Sequence, residues 1–144
     1  MTPSDSSMGW LWFALMTVAS WGCYGVFMHQ GNLNIGDPVY GRYKAFLFVG
    51  IAYFLTAVLA PLALLLASGA SLAVPAKGMA WSLLGGTVGA IGAFGVLLAF
   101  GRGGTPAVVM SIVFAGAPIV NAFVAMAMHP PAGGVSAIRW PFLL

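Results

Sequence analysis

A chain of 144 residues, 61% hydrophobic and only 5% charged, cannot cover a water-facing surface, because soluble domains carry about a quarter charged residues. Its mean hydropathy of +1.01 belongs to the membrane class. The five cations behind the net charge of +3 and the pI near 9.4 are scattered and form no basic patch, which excludes nucleic acid as a partner.

Uncharged stretches run from Ser6 to Met28, Ala45 to Ala76, Gly78 to Gly101 and Gly103 to Ala137. Each exceeds the roughly 20 residues that cross a hydrocarbon core of about 30 Å. The predicted fold class is therefore all-α integral membrane: a four-transmembrane-helix bundle with short loops. One membrane domain over 1–144 has helices at about 9–28, 44–67, 79–100 and 106–128, and the bilayer is its first partner.

The first span competes with a cleaved signal peptide, but no Lys or Arg precedes His29 and the apolar run is long and rich in Trp and Phe. Cys23, the single cysteine, lies in this span and is expected to be a buried thiol that forms no internal disulfide. "HQGNLNIGDP", residues 29–38, carries Gly, Asn and Asp-Pro, the chemistry that ends one helix and starts the next. "ASGASLAVPAKG" (67–78) and "GRGGTP" (101–106) separate the later spans, with Pro106 suited to a first helical turn. Loops this short make consecutive helices antiparallel.

The third span contains "GGTVGAIGAFG", residues 85–95. Gly85 and Gly89 have GxxxG spacing and Gly92 continues that face, so helices are expected to pack closely here. The alternative is that the same face lines a moving substrate path. The fourth span, "SIVFAGAPIVNAF" (111–123), places Ser111, Ala115, Pro118 and Ala122 along a second small-residue face. Pro118 removes the hydrogen bond to the Phe114 carbonyl and should kink the helix. Asn121 carries an amide that is costly in lipid, so it should point into the bundle or a wet cavity.

The order of a glycine-rich third span, a short small-residue loop and a fourth span with a central proline, over residues 80–126, resembles an EamA-like half of the drug/metabolite transporter superfamily. "SWGCYGVF", residues 20–27, is similar to the Trp-Gly pattern of that family's first span. The resemblance implies a polytopic carrier of small metabolites or drug-like compounds at the cell membrane, with a cavity near Trp21, Tyr24, Pro118 and Asn121. Family halves usually have a fifth helix, and full-length members have two halves of inverted topology. This sequence ends at "RWPFLL" (139–144), where a fifth span would begin, and has "MHPPAGG" (128–134) where an acidic residue often follows the fourth helix. A truncated half, a split-transporter subunit and a member that has lost activity are the readings this leaves.

Charge constrains the mechanism. The only carboxylates, Asp5 and Asp37, fall outside the predicted spans, so no intramembrane acid is available for proton coupling; the first-span glutamate of small multidrug antiporters is absent. His29 and His129 sit at span ends and read as interfacial residues. No nucleophile–base spacing, paired carboxylates or metal-ligand cluster appears, so neither enzymatic chemistry nor a cofactor or metal is expected. Arg42, Lys44 and Arg102 fall on one side, Lys77 and Arg139 on the other with the amino terminus. Taken at face value this bias puts the 29–43 and 101–105 loops in the cytoplasm, whereas the resemblance implies a cytoplasmic amino terminus. Two functions follow: a transport subunit for a small-molecule solute that pairs with itself or a second half-transporter, or a non-transporting structural or accessory protein that binds partner helices.

Overall fold

The computed structural model describes residues 9–130. Asp5, Arg139 and the 139–144 terminus, on which parts of the preceding reading rest, lie outside the described residues. The fold is all-α, with four helices long and apolar enough to cross a membrane and no strand among the described residues. They are α1 (Gly9–Ile35), α2 (Gly41–Ala67), α3 (Ala76–Phe100) and α4 (Pro106–Met128), which make this a multi-pass membrane protein. Two compact units result: one extends to Pro106 and holds α1–α3, and the second, from Ala107, holds α4.

Three glycines in the left-handed region end the first three helices: Gly36 (φ 68°), Gly69 (φ 66°) and Gly103 (φ 89°). After α2, the Ala70 N–H donates to the Leu65 carbonyl (3.0 Å) and the Gly69 N–H to the Leu66 carbonyl (3.2 Å), satisfying acceptors the helix leaves free. The Gly104 and Gly103 amides do the same for Ala99 and Phe100.

The first helix does not end near residue 28. It continues through "HQGNLNI" to Ile35, and its 27 residues span about 40 Å, longer than the hydrocarbon core. The polar last turns thus reach the aqueous interface, where Asn and Gly are tolerated, and Asn34 donates from Nδ2 back to the Gln30 carbonyl at 2.8 Å. Only Gly36, with its positive φ, stops the helix. The next helix also begins earlier than expected, because Asp37 caps the turn before it: Oδ1 accepts the Val39 and Tyr40 N–H groups at 3.0 and 2.8 Å. Likewise α3 starts at Ala76, directly after Pro75.

Within α2, residues Phe54–Leu59 form a π-helical turn between the α-helical segments Gly41–Tyr53 and Ala60–Ala67. The cause lies just beyond it. Pro61 has no N–H to donate and its ring would meet the carbonyl of the preceding turn; widening that turn relieves both. Helix α4, by contrast, stays α-helical through Pro118.

In the first unit every buried side chain lies at one end. Met28, Ala45, Ala93, Val96, Leu97 and Phe100 are buried where the end of α1, the start of α2 and the end of α3 meet, with Leu97 fully enclosed. No described residue from Phe46 to Gly92 is buried, so the other half of these helices is loosely packed.

Candidate functional site

In spans this apolar a hydroxyl is costly unless it finds an acceptor. Thr17 donates to the Phe13 carbonyl, Thr56 to Ala52, Thr87 to Leu83 and Ser111 to Ala107, at 2.6 to 3.0 Å. Each satisfies itself one turn back on its own helix and can face lipid. Tyr24 is different. Its side chain is half-buried, yet its phenolic oxygen is shielded and has no hydrogen-bond partner among the described residues.

That oxygen belongs to a group of cavities that run from the packed end of the first unit into its loosely packed half. A pocket of about 220 Å³ is lined by Tyr24, Val49, Ala52, Tyr53 and Thr56. Between α1 and α2, Tyr24, Phe27, Met28, Ala45 and Phe48 line part of a second, of about 530 Å³. A third, of about 500 Å³, lies between Trp21, residues Phe46 to Ala57 of α2, and Gly86, Gly89 and Ala90 of α3. Trp21 and Tyr24 are one helical turn apart with ring centroids at 5.5 Å, tilted by 45°. The surface is apolar and aromatic, and the shielded Tyr24 hydroxyl on it has no partner: it can hold a small hydrophobic or cationic group and offer it a hydrogen bond.

Of the residues expected at a site, Trp21 and Tyr24 are brought together and Gly89 joins Trp21 at the third cavity. Gly85, Gly89 and Gly92 have no heavy atom of the first unit within 4 Å of where a Cβ would stand. Their face is open within the first unit. Pro118 and Asn121 lie on α4 in the second unit, and both are exposed; the Asn121 side chain makes no hydrogen bond among the described residues. Ser111 and Ala115 are exposed on the same helix. Cys23, expected to be buried, is exposed, since its position on α1 faces away from α2 and α3.

Sequence reasoning missed the contribution of α2. Phe46, Tyr53 and Thr56 have no small-residue motif around them; the one available signal was a Tyr and a Thr three residues apart in mid-span, just upstream of Pro61.

A polar site occupies the packed end. The Lys44 ammonium pairs with the Asp37 carboxylate at 2.6 Å. This hydrogen bond from Lys44, followed by that from the Tyr40 amide, holds the Asp37 carboxyl down at about 2. Arg42 is half-buried against Gly101, its guanidinium carbon 5.3 Å from the centre of the Tyr43 ring. His29 packs edge-on against Phe100 at 5.3 Å. Among the described residues no group of His, Cys, Asp and Glu could hold a metal ion. Comparison with protein-family models, curated proteins and solved structures found no match for this chain.

Proposed function

We propose that this chain is a half-sized carrier subunit, not an enzyme, which pairs with a second copy or a second half to move a small apolar or cationic solute across a membrane. The observation that carries the reading is the aromatic cavity group around Trp21, Tyr24 and Tyr53, with its unpartnered phenolic hydroxyl, in the loosely packed half of three membrane-length helices. The EamA-like order of glycine-rich and proline-centred spans supports it. Four helices enclose little volume, so pairing completes the path. No carboxylate lies in any described span, so the solute gradient itself or an ion other than a carboxylate-borne proton drives movement.

Purified protein in liposomes should take up members of a panel of quaternary ammonium and neutral amphiphilic solutes. Trp21→Ala and Tyr24→Ala should each reduce that flux about tenfold, the effect of losing one cation–π or hydrogen-bond contact in a desolvated site. Lost stability with undiminished flux would assign these two rings to packing instead.

One observation favours a second reading. The open face of Gly85, Gly89 and Gly92 is a ready surface for a partner helix, as an accessory membrane protein without transport activity would have. The absence of flux across the whole panel, with helix association retained, selects it.

A further inference from the structure

We infer that the corner around Arg42 is a binding site for a phosphate group at the membrane surface. The inference is independent of transport. A cavity of about 510 Å³ with a mixed polar and apolar lining opens there, walled by Asn32, Leu33, Gly36, Asp37, Arg42 and Gly101 among others. It sits where the apolar spans meet the 36–40 and 101–105 loops, at the depth of lipid headgroups.

Arg42 has no carboxylate partner among the described residues, because Asp37 is taken by Lys44. Its Nε is shielded from solvent and has no hydrogen-bond partner. A guanidinium grips two oxygens of a phosphate with a fork of N–H groups, so an Arg42 without a carboxylate partner on the wall of an open cavity is a ready donor set for that group. Tyr43 lies under the guanidinium, and Gly101 is so close that a Cβ there would stand 2.6 Å from Nη1. The neighbouring Asn32 amide can add a donor, and the Lys44 ammonium offsets the Asp37 charge that would otherwise repel an anion. A cationic pocket between membrane helices at this depth is a known solution for anionic headgroups, and a free phosphate presents the same oxygens.

Thermal unfolding of the full chain in neutral detergent, titrated with phosphatidylglycerol, phosphatidylcholine or inorganic phosphate, tests the site. The wild type should be stabilised more by phosphatidylglycerol than by phosphatidylcholine. A matching response to inorganic phosphate assigns the site to the free ion, and a response to phosphatidylglycerol alone assigns it to lipid. Arg42→Gln should weaken the response at least about tenfold, the worth of a charged hydrogen bond. Lys77→Gln, at the other end of α3, should leave it intact. An unaltered response in Arg42→Gln, or none in the wild type to any of the three, overturns the inference. Should Arg42→Gln fail to fold, a phosphatidylglycerol analogue with a photoreactive headgroup gives the answer on the wild type: labelling of 32–42 and 101–102 upholds the site, and labelling only elsewhere refutes it.

Discussion

Asp37 and Lys44 form the one ion pair among the described residues, and it is exposed, so its worth depends on pH more than on burial. The native carboxyl titrates at about 2, below the roughly 3.9 of a free aspartate. A depressed pKa contributes stability that is fully present above about pH 4 and is lost as pH falls through about 2. Wild type should therefore unfold at a higher temperature than Asp37→Asn at pH 6, and the gap should close on acidification toward pH 2; a gap that does not change with pH would show the pair to be inert. Gly101 makes a different point. Its φ of −66° suits any residue, so Gly101→Ala involves no backbone strain. The new Cβ would instead displace the Arg42 guanidinium, whose flexible end can move. Thermal stability should change by less than about 1 kcal/mol while the response to phosphatidylglycerol falls, and an unaffected response would show that Gly101 does not set the position of Arg42.

At the scale of the helix, an open glycine face makes opposite predictions for the single chain and the assembly. A Cβ at Gly89 meets nothing within 4 Å in the first unit and Gly89→Leu replaces the poorest helix former after proline, so the isolated chain should be no less stable. Gly89 also lines the aromatic cavity, so the same substitution should reduce flux and weaken association of chains in detergent. Unaltered association by crosslinking would remove this face from the interface. The helices themselves were legible because an uncharged run longer than a bilayer is thick has few other solutions. Their ends were less so. "HQGNLNI" has the composition of a turn, yet at an interface water satisfies what a helix end leaves unpaired, and only the left-handed backbone at Gly36 breaks the ladder. The π turn at Phe54–Leu59 had its cause in plain view at Pro61, whereas the partnership of Tyr53 and Thr56 with Tyr24 depends on how α1 and α2 lie together, which no local pattern encodes.

For the molecule as a whole, the decisive asymmetry is between hydroxyls that satisfy themselves and an exposed amide that does not. Thr17, Thr56, Thr87 and Ser111 all return their hydroxyls to their own helices, but the exposed Asn121 amide, seven residues from the end of α4, has no such return. An amide left to lipid is costly, and a partner helix bearing its own acceptor relieves that cost. Together with the open Gly85, Gly89 and Gly92 face this predicts an oligomer, most simply a dimer. Asn121→Leu should weaken association by about 0.6–2 kcal/mol, a factor of roughly 3 to 30 in the dissociation constant. The cations Arg42, Lys44 and Arg102 oppose Lys77 among the described residues, a difference of two charges that is weak control of orientation and permits oppositely inserted copies to pair. Such an antiparallel pair would reproduce the inverted repeat of many carriers. Reporter fusions at the carboxyl terminus should then give signal from both sides of the membrane, and signal from one side alone would restrict the dimer to a parallel arrangement or to pairing with a second half. Native mass measurement in mild detergent tests the broader prediction: dimers should dominate in the wild type and decline in Asn121→Leu, and a monomer in every lipid and detergent tried would defeat it.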